Sequence, residues 1–501
     1  MPRTTLALTS FVSGEFSAKM DGRTDFEKYS SGVKTMENFL VHPQGSATRR
    51  VGTQFIAEVK DSSKKTRLIP FEFSTTQTYI LEFGDQYMRV YKDKGQVLSG
   101  GSPFEISTPY LEAELFDIKF AQSADVMYLC HPNHDVRKLS RTGHTAWTLA
   151  TVSFTGSPSL PISGANNRPS CVSFFEQRLV FANTITNPQT LWFSKAGDYE
   201  NFTTGTNADD AMIYTIASNQ VNAIQYLKAV RTLVVGTSGG EFTVSADGTD
   251  ASITPTNVTI KRQSSFGSAG VDAIPAGNAV LFLQKAKRKI RELAYNFDSD
   301  GYVAPDLTIL NDTVTKSGVN QMIFQQEPDS IIWCVRDDGV LAGLTYQRSE
   351  NVVAWHRHIF GGSFGSGNSV CESAASISGT LTEDELWVIV KRTINGATKR
   401  YVECFSDFDF DETTATDFKF LDSHLNYSGS ATTTLSGLSH LEGQTVSILA
   451  DGSVHANKTV SSGSISLDRS VTKACVGLAY DSVLQTMRIE GGAAEGTSQG
   501  K

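Results

Sequence analysis

The sequence predicts an all-β fold, a β-propeller-like array of hairpin blades, on three observations. From Arg67 to Phe405 it consists of short runs rich in β-branched and aromatic residues, broken by Gly, Asn, Asp and Pro, the pattern of strands and tight turns. These runs pair into hairpins, as in TYILEF–GDQ–YMRVYKD and SIIWCV–RDDG–VLAGLTY. The hairpins also recur: the apolar strands beginning at Tyr79, Val126, Leu179, Leu233, Val280, Ile331 and Glu385 follow one another at intervals of 47 to 54 residues. A period near 50 with three or four strands per unit is that of propeller blades.

Each of the seven units opens with a first strand (IPFEF, DIKFA, SCVSFF, AIQYL, VDAIP, QMIFQ, SAASI), then a short polar loop, a strongly apolar strand and a more amphipathic one. A lone small sheet leaves both faces wet, whereas blades set around an axis bury each face against the next. Connectors such as Asp337-Asp338-Gly339 and Ser238-Gly239-Gly240 can supply the positive φ angles of hairpin turns.

Upstream of the array, Thr24 to Leu40 reads as an α-helix. Phe26, Tyr29, Val33, Met36 and Leu40 fall at intervals of three and four residues, which places them on one helical face. Thr24 and Glu27 have capping-box spacing, and His42-Pro43-Gln44-Gly45 ends the segment. Downstream, a Gly/Ser/Thr-rich region with about five short strands predicts a small β-barrel or sandwich. The expected organisation is an N-terminal arm and helix, a docking segment, over 1–66, the propeller-like body over 67–406, the small β module over 407–490 and a flexible tail over 491–501.

Apolar residues make up 40% of the 501 and charged residues 19%, a globular composition able to build a core without disulfides. Cys130, Cys171, Cys334, Cys371, Cys404 and Cys475 show no C-x-x-C or zinc-ligand spacing, so they are expected as reduced core residues. The start MPRTTLALTSFVSG lacks an apolar signal region, and synthesis in the cytoplasm is expected. The net charge of −9 opposes a broad grip on phosphate backbones.

The chemistry-bearing candidates are few. His356 and His358 in AWHRH alternate on a strand and could share a metal ion. No third ligand has a matching local spacing, so a polar strand face beside Trp355 is the preferred reading, and no metal is assigned. Asp407, Asp409 and Asp411 alternate with Phe408 and Phe410 like the first ligands of a calcium loop, but Glu412 stands where such a loop needs Gly. Aromatics inward and acids in water is the preferred reading. Lys285 to Arg291 is the one basic run, read as a solvated face. No nucleotide, hydrolase or metalloprotease motif occurs. No catalytic residue and no cofactor is expected.

Several strings resemble podovirus (short-tailed phage) tail tubular proteins of the nozzle type. They are Ser13-Gly14-Glu15, Asp21-Gly22-Arg23-Thr24-Asp25, Pro43-Gln44-Gly45 and Arg49-Arg50-Val51-Gly52-Thr53, followed by IPFEFS at Ile69, KFAQSADVMYLCHP at Lys119, RKLSRTGHTAWTL at Arg137, NPQTLWFSKAGDYENF at Asn187 and AWHRH at Ala354. The resemblance spans nearly the whole chain. It implies a non-enzymatic virion component that forms a homo-oligomeric ring, six copies in such tails, with an adaptor protein and tail fibres as partners. Viral DNA would pass through its channel without sequence-specific binding. The alternative function is a carbohydrate- or receptor-binding, even glycan-degrading, tail component, because propellers also carry such sites.

Overall fold

The computed structural model describes residues 8–156, 162–217, 221–248, 251–379, 383–407 and 414–488. All seven apolar strands form where the sequence places them. Each is the second strand of an antiparallel blade of four strands, which stands as its own sheet in blades 2 to 5 and is part of a larger sheet in blades 1, 6 and 7. In blade 1 the strands are Arg67–Ser74, Gln77–Gly84, Tyr87–Lys92 and Glu105–Ser107. Blades 2 to 5 repeat this plan over residues 119–151, 171–215, 224–262 and 274–303. Blade 6 spans residues 319–358. Blade 7 contributes Val370–Ser378, Asp384–Ile394 and Ala397–Phe405.

Strand alternation turns these sheets into a ring, because successive side chains point to opposite faces. In blade 1, Tyr79, Leu81 and Phe83 pack with Met127, Leu129 and Leu139 of blade 2. Ile80 packs the other way, with Ile377, Trp387 and Val402 of blade 7. In blade 6, Ile331, Trp333 and Val335 face blade 7, while Ile332 and Cys334 face blade 5. The remaining blade pairs share cores in the same way. Seven inter-blade cores thus form a closed circuit, and the fold is a seven-bladed β-propeller. The six cysteines are free and buried, five in the blades and Cys475 on the C-terminal strand Ser464–Leu478.

Blade 7 takes its fourth strand from the beginning of the chain. Thr53–Glu58 pairs antiparallel with Ala397–Phe405, Gln54 opposite Cys404, so the ring is closed by segments some 350 positions apart. Blade 6 is extended as well: Gly14–Glu15 and Gly32–Glu37 lie beside its Val352–His358 strand, and Val483–Thr486 pairs on the outer side of Gly32–Glu37.

The expected helix from Thr24 to Leu40 is not formed. Glu27–Ser31 is a short 3-10 turn capped by Phe26 without a side-chain bond, and Gly32–Glu37 and Phe39–Val41 are strands. Thr24 therefore caps nothing. Tertiary pairing overrides the helical period. Val33 and Met36 are buried beside Val41, Val352 and Ala354, the Met36 amide donates to the Glu15 carboxylate at 2.8 Å, and Gly32 lies where a Cβ would strike the Phe16 ring. His42-Pro43-Gln44-Gly45 makes the hairpin turn from Phe39–Val41 to Ala47–Arg49 instead of ending a helix.

The C-terminal region also differs from a separate barrel or sandwich. Asp422–Ser436, Ser464–Leu478, Thr445–Ala450 and Ser453–Thr459 continue the blade 7 sheet beyond Thr53–Glu58 into an open eight-stranded sheet. They enclose an apolar core of their own around Leu441, Val446, Ile448 and Val476. The expected fifth strand, Val483–Thr486, crosses to blade 6. The expected tail over 491–501 lies outside the described residues.

Buried ion pairs hold these crossings. Arg50 is fully buried, grips Asp422 in a two-pronged contact of 2.6 and 2.8 Å, donates to Asn38 at 2.9 Å and lies 3.7 Å from the Tyr480 ring centre. Arg392 pairs with Glu403, which also accepts from Thr53 Oγ1 at 2.6 Å. Breaking one partner of such a pair strands a buried charge, at a cost of about 3–5 kcal/mol. Arg50→Ala should therefore lower unfolding free energy in denaturant titration by about that much, and Arg50→Met combined with Asp422→Leu by much less.

Candidate functional site

The cavity on the propeller axis is the principal candidate. Its walls come from the innermost strands of blades 1, 2, 4, 5, 6 and 7, with Phe116 and Gly270–Ala273 from the connecting loops, and its volume is about 260 Å³. Three cations reach it, Arg67, Lys119 and Lys228, against one carboxylate, Asp272. Lys119 Nζ donates to Gly270 O at 2.6 Å and lies 2.9 Å from Asp272 Oδ1. Arg67 Nη1 donates to Leu115 O and Ile118 O at 2.8 and 2.7 Å. Burial pushes the Lys228 ammonium below its ordinary pKa and does the same to Arg67. Burial alone would raise the Asp272 pKa, but Lys119, Arg67 and Lys228 together hold it below the usual carboxylate range.

None of these four residues stands out in the sequence. They lie far apart, and no local motif joins them. The signal available was a cation within a strand otherwise built for burial, as Lys228 is in IQYLKA.

The sequence candidates end up elsewhere. His356 and His358 are both fully buried, so the strand face beside Trp355 is an interior one, not a polar surface. His356 Nδ1 lies 2.6 Å from His358 Nε2, and both rings pack edge-on against Trp333. Burial, with a smaller push from His42, lowers the His356 pKa to about 3. Burial and His356 drive His358 well below its ordinary value. Both rings are therefore neutral at neutral pH. Asp407 is exposed and pairs with Lys94 at 2.5 Å, while Asp409 and Asp411 lie outside the described residues. The basic run forms the hairpin turn of blade 5. Lys289 pairs with Asp306 at 2.9 Å, Arg291 stacks 3.5 Å from the Phe266 ring centre and donates to Ala304 O at 2.7 Å, and Lys285 and Arg288 are exposed.

One cluster is absent from the sequence reading. Glu114, His131 and His134 bring potential ligand atoms within 4.8 Å of one another. Glu114 lies in the 3-10 turn Glu112–Asp117 between blades 1 and 2, and the histidines face each other across the Pro132-Asn133 turn. Glu114 receives His134 Nε2 at 2.7 Å, Asn133 Nδ2 at 3.0 Å and the Leu111 amide at 3.0 Å. Burial opposes ionisation, but these three donors outweigh it and hold the carboxyl at about 2. His131 Nδ1 accepts the Asn133 amide at 3.1 Å, so this nitrogen is engaged in the turn. The visible work of the cluster is to tie the inter-blade turn to the hairpin.

No family model matches the chain, and no curated protein matches it in sequence. Among solved structures, the β-propeller domain of Myceliophteria thermophila Cps50 (Swd1) aligns with 70% of this chain and 99% of its own, at 9% identity and a TM-score of 0.41. The Neurospora crassa Pan2 WD40 domain aligns with 72% of this chain and 96% of its own, at 7% identity and a TM-score of 0.40. Among the described residues no helix is long and apolar enough to cross a membrane.

The histidines set an acid limit. His356 at about 3, and His424 and His440 each at about 4, are all lowered first by burial. The unfolded chain therefore takes up protons near pH 6.5 while the folded one does not. Stability is full above that value and falls toward pH 4, at about 1.4 kcal/mol per pH unit for each such histidine. Denaturant titrations from pH 7.5 to 5 should show this loss, with a shallower slope for His440→Gln. Glu114 adds a separate loss between about pH 4.5 and 2, which Glu114→Gln should remove.

Proposed function

We propose that this chain is a structural subunit of a short-tailed phage tail, of the nozzle type, assembled as a homo-oligomeric ring around a channel for the genome. One observation carries the reading: motifs on which the family resemblance rests are joints of the scaffold. Glu15 of the Ser-Gly-Glu string binds Arg357 of AWHRH through contacts of 2.8 and 3.0 Å. Gly14, at φ +60°, lies against the Trp355 backbone, where a Cβ would come within 2.3 Å of its amide nitrogen. Arg50 and Gly52 of the R-R-x-G-T string sit on Asp422 and Leu421, a Cβ at Gly52 falling 1.8 Å from Leu421 O. Pro43-Gln44-Gly45 is a hairpin turn. A rigid closed ring with residues 14–58 and 422–486 woven into its sheets suits a part that must bear load.

The mechanism on this reading is passive. Six copies at −9 each give an acidic assembly in which DNA slides because nothing grips its phosphates. The adaptor, the fibres and residence in the virion belong to the same proposal, and no catalytic residue is part of it.

A second reading, glycan binding, has one observation in its favour. A groove beside Phe324 is lined by Glu72, Glu327, Glu383 and Asp384. Asp384 is engaged by the Gln326 amide at 2.7 Å and Glu72 by the Ser378 amide at 2.8 Å, which is why this reading comes second. Host-surface glycan binding lost in Glu327→Gln would favour it.

Mass measurement of the purified 54.4 kDa protein, alone and with the tail adaptor, tests the leading proposal. Sixfold multiples that appear with the adaptor are the expected result. A strict monomer under both conditions contradicts it.

A further inference from the structure

We propose that the axial cavity is a binding site for a small oxyanion of the phosphate or sulfate class, held between Lys228, Lys119 and Arg67. The charge balance of the cavity comes first. Three cations against one carboxylate leave a formal charge of +2 on a site enclosed by the inner strands of six blades. Cations are expensive to bury without counter-charge, and a concave low-dielectric wall concentrates their field.

The second observation is unused bonding capacity around the same space. Lys228 feels Asp272 and Lys119 electrostatically, yet its ammonium makes no hydrogen bond or close ion pair among the described residues. Arg67, 6% exposed, has no partner for Nε, and Ser376 has none for Oγ. By contrast Gln321 on the same wall is saturated. Its Nε2 donates to Ala374 O at 2.8 Å, and its Oε1 accepts Ser373 Oγ at 2.9 Å and the Ala374 amide at 3.2 Å. The unmet groups are thus mainly cationic donors, which calls for an acceptor-rich ligand.

Room is available. About 10–15 Å³ of this kind of volume admits one water, so 260 Å³ holds a tetrahedral oxyanion with several waters. Asp272, a lining residue whose side chain is partly exposed, restrains the affinity by like-charge repulsion and keeps Lys119 in place.

The test is thermal unfolding and calorimetric titration with inorganic phosphate and with sulfate, at constant ionic strength against chloride. Wild-type protein should show a saturable rise in midpoint with either oxyanion and none with chloride. Lys228→Met should weaken phosphate binding at least tenfold while folding normally in phosphate-free buffer, since it removes an unpartnered ammonium. Asp272→Asn should tighten binding, and Lys285→Met, on the exposed blade 5 turn, should bind as wild type does. Equal responses to phosphate and chloride, or undiminished phosphate affinity in Lys228→Met, would overturn the assignment.

Discussion

The pairing of Thr53–Glu58 with Ala397–Phe405 is the constraint on which the rest of the molecule depends. A propeller has no free end to its core: each blade face is buried only if the next blade is present, so an unclosed ring would expose the faces between blades 7 and 1 to water. Bringing residues 53 and 405 together has a loop-closure entropy cost that grows only slowly with length. The buried cores on both sides of blade 7 offset it. The C-terminal strands then add to the outer edge of Thr53–Glu58 and cover what would otherwise be an exposed sheet edge.

The same closure accounts for the charged residues in the interior. Arg50 and Asp422 come from opposite ends of the chain and meet where the closing strand begins. Phe55 of that strand stacks on His440 at 4.0 Å, and Thr53 bonds Glu403. Buried ion pairs add little net stability over apolar packing, but they penalise any register in which the partners miss one another. A one-residue slip of Thr53–Glu58 would turn its side chains to the opposite face of the sheet, and Thr53 would lose Glu403.

The repeating part of this fold is legible because alternation leaves a strong local mark: a stretch such as Ile331 to Val335, feeding two cores at once, is apolar at every position. The spacing of such strands marks seven similar units, and the structure makes each of them a blade. The N-terminal segment reads as a helix because Phe26, Tyr29, Val33, Met36 and Leu40 match a helical period, although it folds as a 3-10 turn and two strands. Its actual partners, Gly14–Glu15 and Val483–Thr486, are remote in sequence. The blade 7 closing strand was hidden for the same reason. Of the site, the AWHRH pair was noticed but its burial was not, since a His-x-His strand looks alike on either face. The axial cations escaped notice because ring topology, not local spacing, brings Arg67, Lys119 and Lys228 together.

The closure is tested most directly by a covalent trap across it. Gln54 stands opposite the native, free Cys404 in the ladder, so Gln54→Cys places two thiols on one face of neighbouring strands, and the ~4.5–5.5 Å Cα separation of directly opposed antiparallel residues lies within the span of a disulfide that mild oxidation can form. The account predicts a single intramolecular disulfide between positions 54 and 404 in the folded protein, found by peptide mass mapping, with a raised unfolding midpoint. Absence of that bridge under native conditions, or its appearance only after denaturation, would contradict the claim that the beginning of the chain closes the ring.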